Sequence, residues 1–178
     1  VMQALADAGQ KVVTTSIMHK PWNGQTYDYF ESMIVWRKTL SGEWKFTFDV
    51  FDKWVEFMMS LGIDKQINCY SMVPWSYSFQ YFDECTNKMQ VVKCKPGESA
   101  YNEMWTAFLT AFAKHLKEKN WFDKTCIAMD ERPMPVMKTV ISLVKGVDKD
   151  FKLALAGLYY EEIEKDLYDY CISTDQSY

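Results

Sequence analysis

Short apolar runs of strand length alternate along this chain with segments whose apolar positions recur at helical spacing. Val12-Val13-Thr14-Thr15-Ser16-Ile17-Met18 is rich in β-branched residues and predicts a strand. Ile67 to Val73, Thr125 to Met129 and Lys152 to Ala156 predict three more, each a near-continuous apolar run of the kind buried on both faces. Between them lie the helices. Residues 2–9 read as a helix closed by Gly9. Asp49 is expected to cap a second helix, with Phe51, Trp54, Val55, Met58 and Leu61 inward and Gly62 as its stop. After Pro96-Gly97 a long amphipathic helix carries Tyr101, Met104, Trp105, Phe108, Phe112 and Leu116 on one stripe. A fourth helix is expected over 136–144, ending near Gly146. A fifth is expected over 161–171, with Ile163, Leu167 and Cys171 inward.

Two further pairs of segments read as hairpins: 32–37 with 43–48 around Leu40-Ser41-Gly42, and 79–83 with 89–92 through Thr86-Asn87. Strands alternating with helices point to an α/β fold with parallel strands, a partial (β/α)8 TIM-barrel-like domain with a small hairpin insertion. About four strands and five helices fall short of a closed barrel, which typically takes roughly 250 residues. A small open sheet satisfies the same periodicity. Sequential right-handed β/α units require the four strands to lie adjacent in chain order. His19, Trp75, Asp130 and Tyr159 then share one rim.

Composition narrows the function classes. The 178 residues, 48% of them hydrophobic, can bury a substantial core. A net charge of -4 with interspersed lysines gives no footprint for nucleic acid. No apolar stretch has the length of a transmembrane segment. The five cysteines lack any Cys-x-x-Cys and fit neither a zinc site nor a disulfide scaffold, although Cys85 and Cys94 flank a hairpin and could pair across it. His19 and His115 are the only histidines, and His115, among lysines, reads as solvated surface. No metal site, nucleotide-binding glycine pattern or nucleophile elbow is present, so no cofactor is expected. The chain opens at Val1 already in a helical pattern and reads as a piece of a longer protein.

The candidate chemistry lies in Asp130-Glu131, which closes the run Cys126-Ile127-Ala128-Met129 and precedes Arg132-Pro133-Met134-Pro135. Two adjacent carboxylates at a strand end, before a proline-punctuated loop, stand where α/β folds carry their sites. Neighbouring strand residues point to opposite faces, so both acids serve one site only if the backbone turns at this junction. The plainer reading is a pair of solvated loop acids, one of them capping the next helix.

The other strand ends are aromatic and polar: His19, Trp22 and Gln25 after the first, Tyr70, Trp75 and Tyr77 at the second, and Tyr159 after the fourth. Rings stack on the apolar faces of pyranoses, while acids and amides take hydroxyls. Each ring taken singly is somewhat better explained as packing under a loop, and the convergence of four strand ends is what moves the balance towards a sugar. Glycosidic cleavage needs a proton donor to the leaving oxygen and a group that manages positive charge at the anomeric carbon. When the sugar carries a 2-acetamido group, its own carbonyl oxygen can attack that carbon. A short Asp that orients the acetamido group beside a longer Glu that reaches the glycosidic oxygen suits this division of labour. A non-catalytic carbohydrate-binding or degenerate barrel domain would use the same aromatic rim without chemistry.

Phe51-Asp52-Lys53-Trp54, Gly62-Ile63, Asn68-Cys69-Tyr70-Ser71-Met72 and Trp121-Phe122-Asp123-Lys124 leading into Met129-Asp130-Glu131-Arg132-Pro133 resemble the catalytic domain of glycoside hydrolase family 123. The resemblance runs over nearly all of residues 1–178. It implies a fragment of a glycosidase catalytic barrel, about its strands two to five. It further implies a retaining, substrate-assisted β-N-acetylhexosaminidase acting on oligosaccharide or glycoconjugate glycans, with N-acetylgalactosamine as the expected sugar. By the same resemblance Asp130 stabilises the acetamido group, Glu131 is the general acid/base, and the protein works in the periplasm, on the outer surface or outside a bacterial cell.

Overall fold

Five parallel strands laid side by side in chain order form the organising sheet. In the computed structural model, which describes residues 1–172, the chain runs α1 (Met2–Asp7), β1 (Val12–Ser16), β2 (Val35–Lys38), β3 (Trp44–Thr47), α2 (Asp49–Ser60), β4 (Gln66–Tyr70), β5 (Ser78–Asp83), β6 (Lys88–Lys93), α3 (Ser99–Glu118), β7 (Thr125–Asp130), α4 (Met134–Val147), β8 (Lys152–Gly157) and β9 (Asp169–Ile172). The main sheet has the order β1-β4-β7-β8-β9, every neighbouring pair parallel. The four expected strands are therefore adjacent and in sequence, and all of them end on one rim. This is an α/β fold of alternating strands and helices that resembles part of a TIM barrel.

The two faces of this sheet differ in size of side chain. Val13, Ile67, Cys69, Ile127, Met129, Leu153 and Leu155 join the helices in one large core. On the other face Cys126, Ala128 and Ala154 form a small cluster with Tyr70 packed against it. Because those residues are small, a polar bridge can cross them: Gln66 on β4 donates from Nε2 to Oδ2 of Asp169 on β9 at 2.6 Å and to Oδ1 of its neighbour Asn68 at 2.9 Å. That face ends at Asp130, which pairs in register with Ala156.

The region 161–171 departs from its predicted helix. Ile163 and Leu167 sit at helical spacing, but the chain makes only a 3-10 segment, Glu161–Asp166, and then becomes β9. The open edge of β8 supplies partners over Ala154–Gly157, and Tyr168 N–H adds a bond to Leu153 O at 2.8 Å. Pairing with an existing strand outweighs a short, acid-rich helix. The parallel arc thus has five strands where four were expected.

The two hairpins form as expected but fuse into one sheet of order β3-β2-β5-β6, through a parallel pairing of Arg37 and Lys38 with Phe82 and Asp83. Its inner face lies on α3, where Trp36 stacks on Phe108 at 4.6 Å and meets Trp105 edge-on at 5.0 Å. The Trp36 indole N–H donates to Ile17 O at 2.8 Å, tying this layer to the end of β1.

Smaller corrections follow the same local logic. Phe48 occupies the position before α2 and Asp49 is its first helical residue, where a carboxylate still complements the positive end of the helix. Helix α4 starts at Met134 and accommodates Pro135 in its first turn, where no backbone donor is needed. His115 is not solvated: it stacks on Phe48 at 4.2 Å, with Nε2 2.7 Å from Oδ1 of Asp52. All five cysteines are free thiols. Cys85 lies at the turn of the β5–β6 hairpin and Cys94 beyond its far end, where its N–H donates to Tyr77 O, so they cannot pair across it.

Candidate active site

Asp130 and Glu131 are positioned by β7 and by the loop that leaves β8. Asp130 is the last strand residue and is half-buried on the small-residue face. Burial pushes its carboxyl up to about 6, against the opposing pull of the nearby Arg132 cation. Burial also pushes the Tyr70 hydroxyl, at the end of β4, up to about 12, with the Asp130 charge adding to the effect. Tyr70 and Asp130 therefore share one electrostatic environment at the rim.

Glu131 continues the ladder by one bond, its N–H donating to Ala156 O at 3.0 Å. Its side chain leans against the next loop, where Leu158 N–H donates to Oε2 at 2.8 Å. The contact is close enough to require glycine: a Cβ built on Gly157 would lie 2.6 Å from the Cβ of Glu131. The ladder thus extends through Glu131, with Asp130 on the small-residue face and the Glu131 side chain against the β8 loop.

Arg132 follows and is 8% exposed. Its guanidinium carbon sits 4.4 Å from the centre of the Trp75 ring and 4.6 Å from that of Tyr77, while its Nε has no hydrogen-bond partner. A cation wedged over two rings couples the loop after β4 to the loop after β7. It also covers one face of each ring, leaving the exposed side of Trp75 as the part that faces solvent. Tyr101 of α3 anchors the base of this loop by donating to Met72 O at 2.7 Å.

The first strand end contributes unevenly. Trp22 packs edge-on to Phe30 at 5.1 Å and lies 5.3 Å from Tyr70, so it joins the second strand end. His19 Nδ1 is 2.7 Å from Glu31 Oε2, which holds the ring at the loop base. Gln25 sits on the exposed stretch, its backbone N–H bonded to Trp22 O. After β8, Tyr159 stacks on Tyr170 at 5.7 Å and donates to Glu164 Oε2 at 2.7 Å. That bond, with lesser contributions from burial and neighbouring acids, pushes its hydroxyl up to about 12.

Gly157, the Leu158 amide, Arg132 and Tyr170 emerge as site-shaping groups that periodicity did not mark. An isolated glycine directly after the apolar run 152–156 was the available signal for a close backbone approach. Among the described residues no group of three or more His, Cys, Asp or Glu side chains could hold a metal ion. No described helix is long and apolar enough to cross a membrane. A hollow of about 550 Å³ beside Lys117 and Asp148 lies on the helical side, and its main ionic groups already pair with one another at 2.6 Å.

Comparison with known proteins identifies the family of the chain. The family described as Glycoside hydrolase 123, catalytic domain, matches residues 1–178. A solved family 123 glycoside hydrolase from Clostridium perfringens, described for the details of its glycolipid glycan hydrolysis, is 36% identical with a TM-score of 0.91. The match covers 98% of this chain and 32% of that one, so the chain spans about a third of the length of its solved relative. No curated protein matches the chain.

Proposed function

This chain belongs to the glycoside hydrolase family 123 catalytic-domain family, and from that premise we propose that the intact protein is a retaining, substrate-assisted β-N-acetylhexosaminidase that removes terminal N-acetylgalactosamine from glycans. The observation that carries the reading is the pair of differently held carboxyls at one strand end, Asp130 half-buried and raised by burial and Glu131 fixed by the Leu158 N–H of the β8 loop. In this reading the substrate acetamido oxygen attacks the anomeric carbon and displaces the leaving oxygen. Asp130 holds the acetamido N–H and, once ionised, offsets the positive charge of the cyclised intermediate. Glu131 delivers a proton to the departing oxygen and afterwards takes one from water as that water opens the intermediate. The same anomeric configuration is thereby restored.

Trp75 offers a stacking surface, with Arg132 bracing its other face. Tyr70 and Trp22 form one wall, and His19, Gln25, Tyr77 and Tyr159 stand around the rim as further substrate contacts. The five parallel strands are read as the second to sixth of a barrel, extending the expected arc by β9. The compartment that suits such a substrate is the periplasm, the outer surface or the medium.

Full-length protein should cleave aryl β-N-acetylgalactosaminides faster than the corresponding glucosaminides. It should also bind a thiazoline mimic of the cyclised acetamido intermediate. Failure to cleave either glycoside, with no binding of the mimic, overturns the reading.

A further inference from the structure

Tyr170 lies on β9, in the stretch whose pattern predicted a helix. Its hydroxyl accepts a hydrogen bond from Tyr160 N–H at 2.5 Å and donates one to Leu158 O at 2.5 Å. Both partners are backbone groups of the loop that leaves β8. The peptide nitrogen of Leu158 in turn donates to Oε2 of Glu131 at 2.8 Å. Gly157 approaches Glu131 so closely that no side chain fits there. A single hydroxyl therefore closes the loop 158–160 on itself and sets the height of the one amide that meets the Glu131 carboxyl.

We infer that Tyr170 is a positioning residue for the reaction, holding the 158–160 loop so that the Leu158 N–H fixes Oε2 of Glu131 and leaves Oε1 to face the leaving oxygen. The inference rests on the reading of Glu131 as the acid. Tyr170 itself need not touch substrate. The effect passes through backbone atoms, which is why a phenol that bridges two of them is suited to it. A carboxyl free to rotate would present either oxygen at varying distance, and proton delivery is sensitive to errors of that size. The nearby Tyr168 is the internal comparison: it is exposed, and its ring lies under the Lys152 ammonium at 3.9 Å.

The test uses the full-length protein with two β-N-acetylgalactosaminides, one with an activated aryl leaving group and one with a sugar alcohol. Tyr170→Phe removes the hydroxyl and keeps the ring. It should lower kcat on the poor leaving group about tenfold, change KM little, and leave the activated substrate within about twofold of wild type. Amide exchange at Leu158 should speed up in the same variant, and Tyr168→Phe should alter neither readout. Equal losses on both substrates, or no loss on either, overturn the inference. Should Tyr170→Phe not fold, Gly157→Ala, whose methyl would crowd the Glu131 side chain against the Leu158 amide, must reproduce the leaving-group signature. A uniform loss there overturns the inference as well. Wild-type protein that cleaves neither substrate overturns the functional reading instead, and exchange at Leu158 then decides the clamp on its own: unchanged exchange in Tyr170→Phe overturns it.

Discussion

Gly157 and Glu131 are in contact so close that a methyl group on one would sit 2.6 Å from the Cβ of the other. The acid has its place because its neighbour across the ladder has no side chain. Gly157→Ala should push Glu131 or the β8 loop aside and lower kcat by about 10- to 100-fold. Circular dichroism and thermal melting should show a retained fold, since the site lies at a strand end. Full activity with the alanine in place contradicts the positional role of Glu131.

Burial displaces the ionisation of Asp130, up to about 6. In the proposed mechanism only its charged form stabilises the intermediate, so activity should fall as pH drops through about 6. Asp130→Asn should cost about 10²–10³ in kcat on all substrates. A pH–rate profile of the wild type that stays flat down to pH 4.5 argues against the assignment.

The same burial has a consequence for stability. A carboxyl raised from 3.8 to about 6 binds more protons in the folded than in the unfolded state between those values. Its stabilising contribution is complete below 3.8 and is lost as pH rises through about 6. Asp130→Asn should therefore raise stability at pH 7.5, by about 1 kcal/mol after allowing for solvent screening of a half-buried group. The gain should disappear near pH 4, as denaturant titrations at the two pH values will record.

Glu131→Gln should separate substrates by leaving group. Poor leaving groups should slow by about 10²–10⁴-fold and activated aryl glycosides by much less, because only the former require strong protonation. Steady-state kinetics across a series of phenols reads this as a steeper dependence on leaving-group acidity. Equal, small losses from the Asp130 and Glu131 substitutions would return both to the role of surface acids.

Arg132 acts on Asp130 from its place between Trp75 and Tyr77. Its cation pulls the Asp130 carboxyl down against burial. Arg132→Met keeps the apolar stem and removes the charge, so the acidic limb of the pH profile should move upward by about half a unit to one unit. Trp75 fluorescence should change with it, because the ring loses the group that covers one face. An unmoved limb separates Arg132 from the site.

Much of this was written in the order of side chains along the chain. β-branched and apolar runs of strand length, separated by helices with one apolar stripe, determined four of the five parallel strands and their sequence across the sheet. Parallel strands joined in that way must end on a common rim, which is why Asp130 stands at the same end of the sheet as Tyr70. The length of the apolar run, the two prolines and the adjacent acids are local facts, and local facts fix where a strand stops and a loop begins.

What the sequence left open depended on partners far away in the chain. Ile163 and Leu167 have helical spacing, and only the unpaired edge of β8 turned the following residues into β9. The two hairpins were legible, but their fusion through Arg37 and Lys38 with Phe82 and Asp83 required α3 beneath both. His115 left the solvent because Asp52 and Phe48 came to meet it. The direction of Glu131, the wedge of Arg132 and the hold of Tyr170 on the β8 loop were likewise decided by tertiary contact. Periodicity reports which face of an element is apolar, whereas hydrogen bonds and ring contacts between distant segments exist only once the sheet has brought those segments to the same rim.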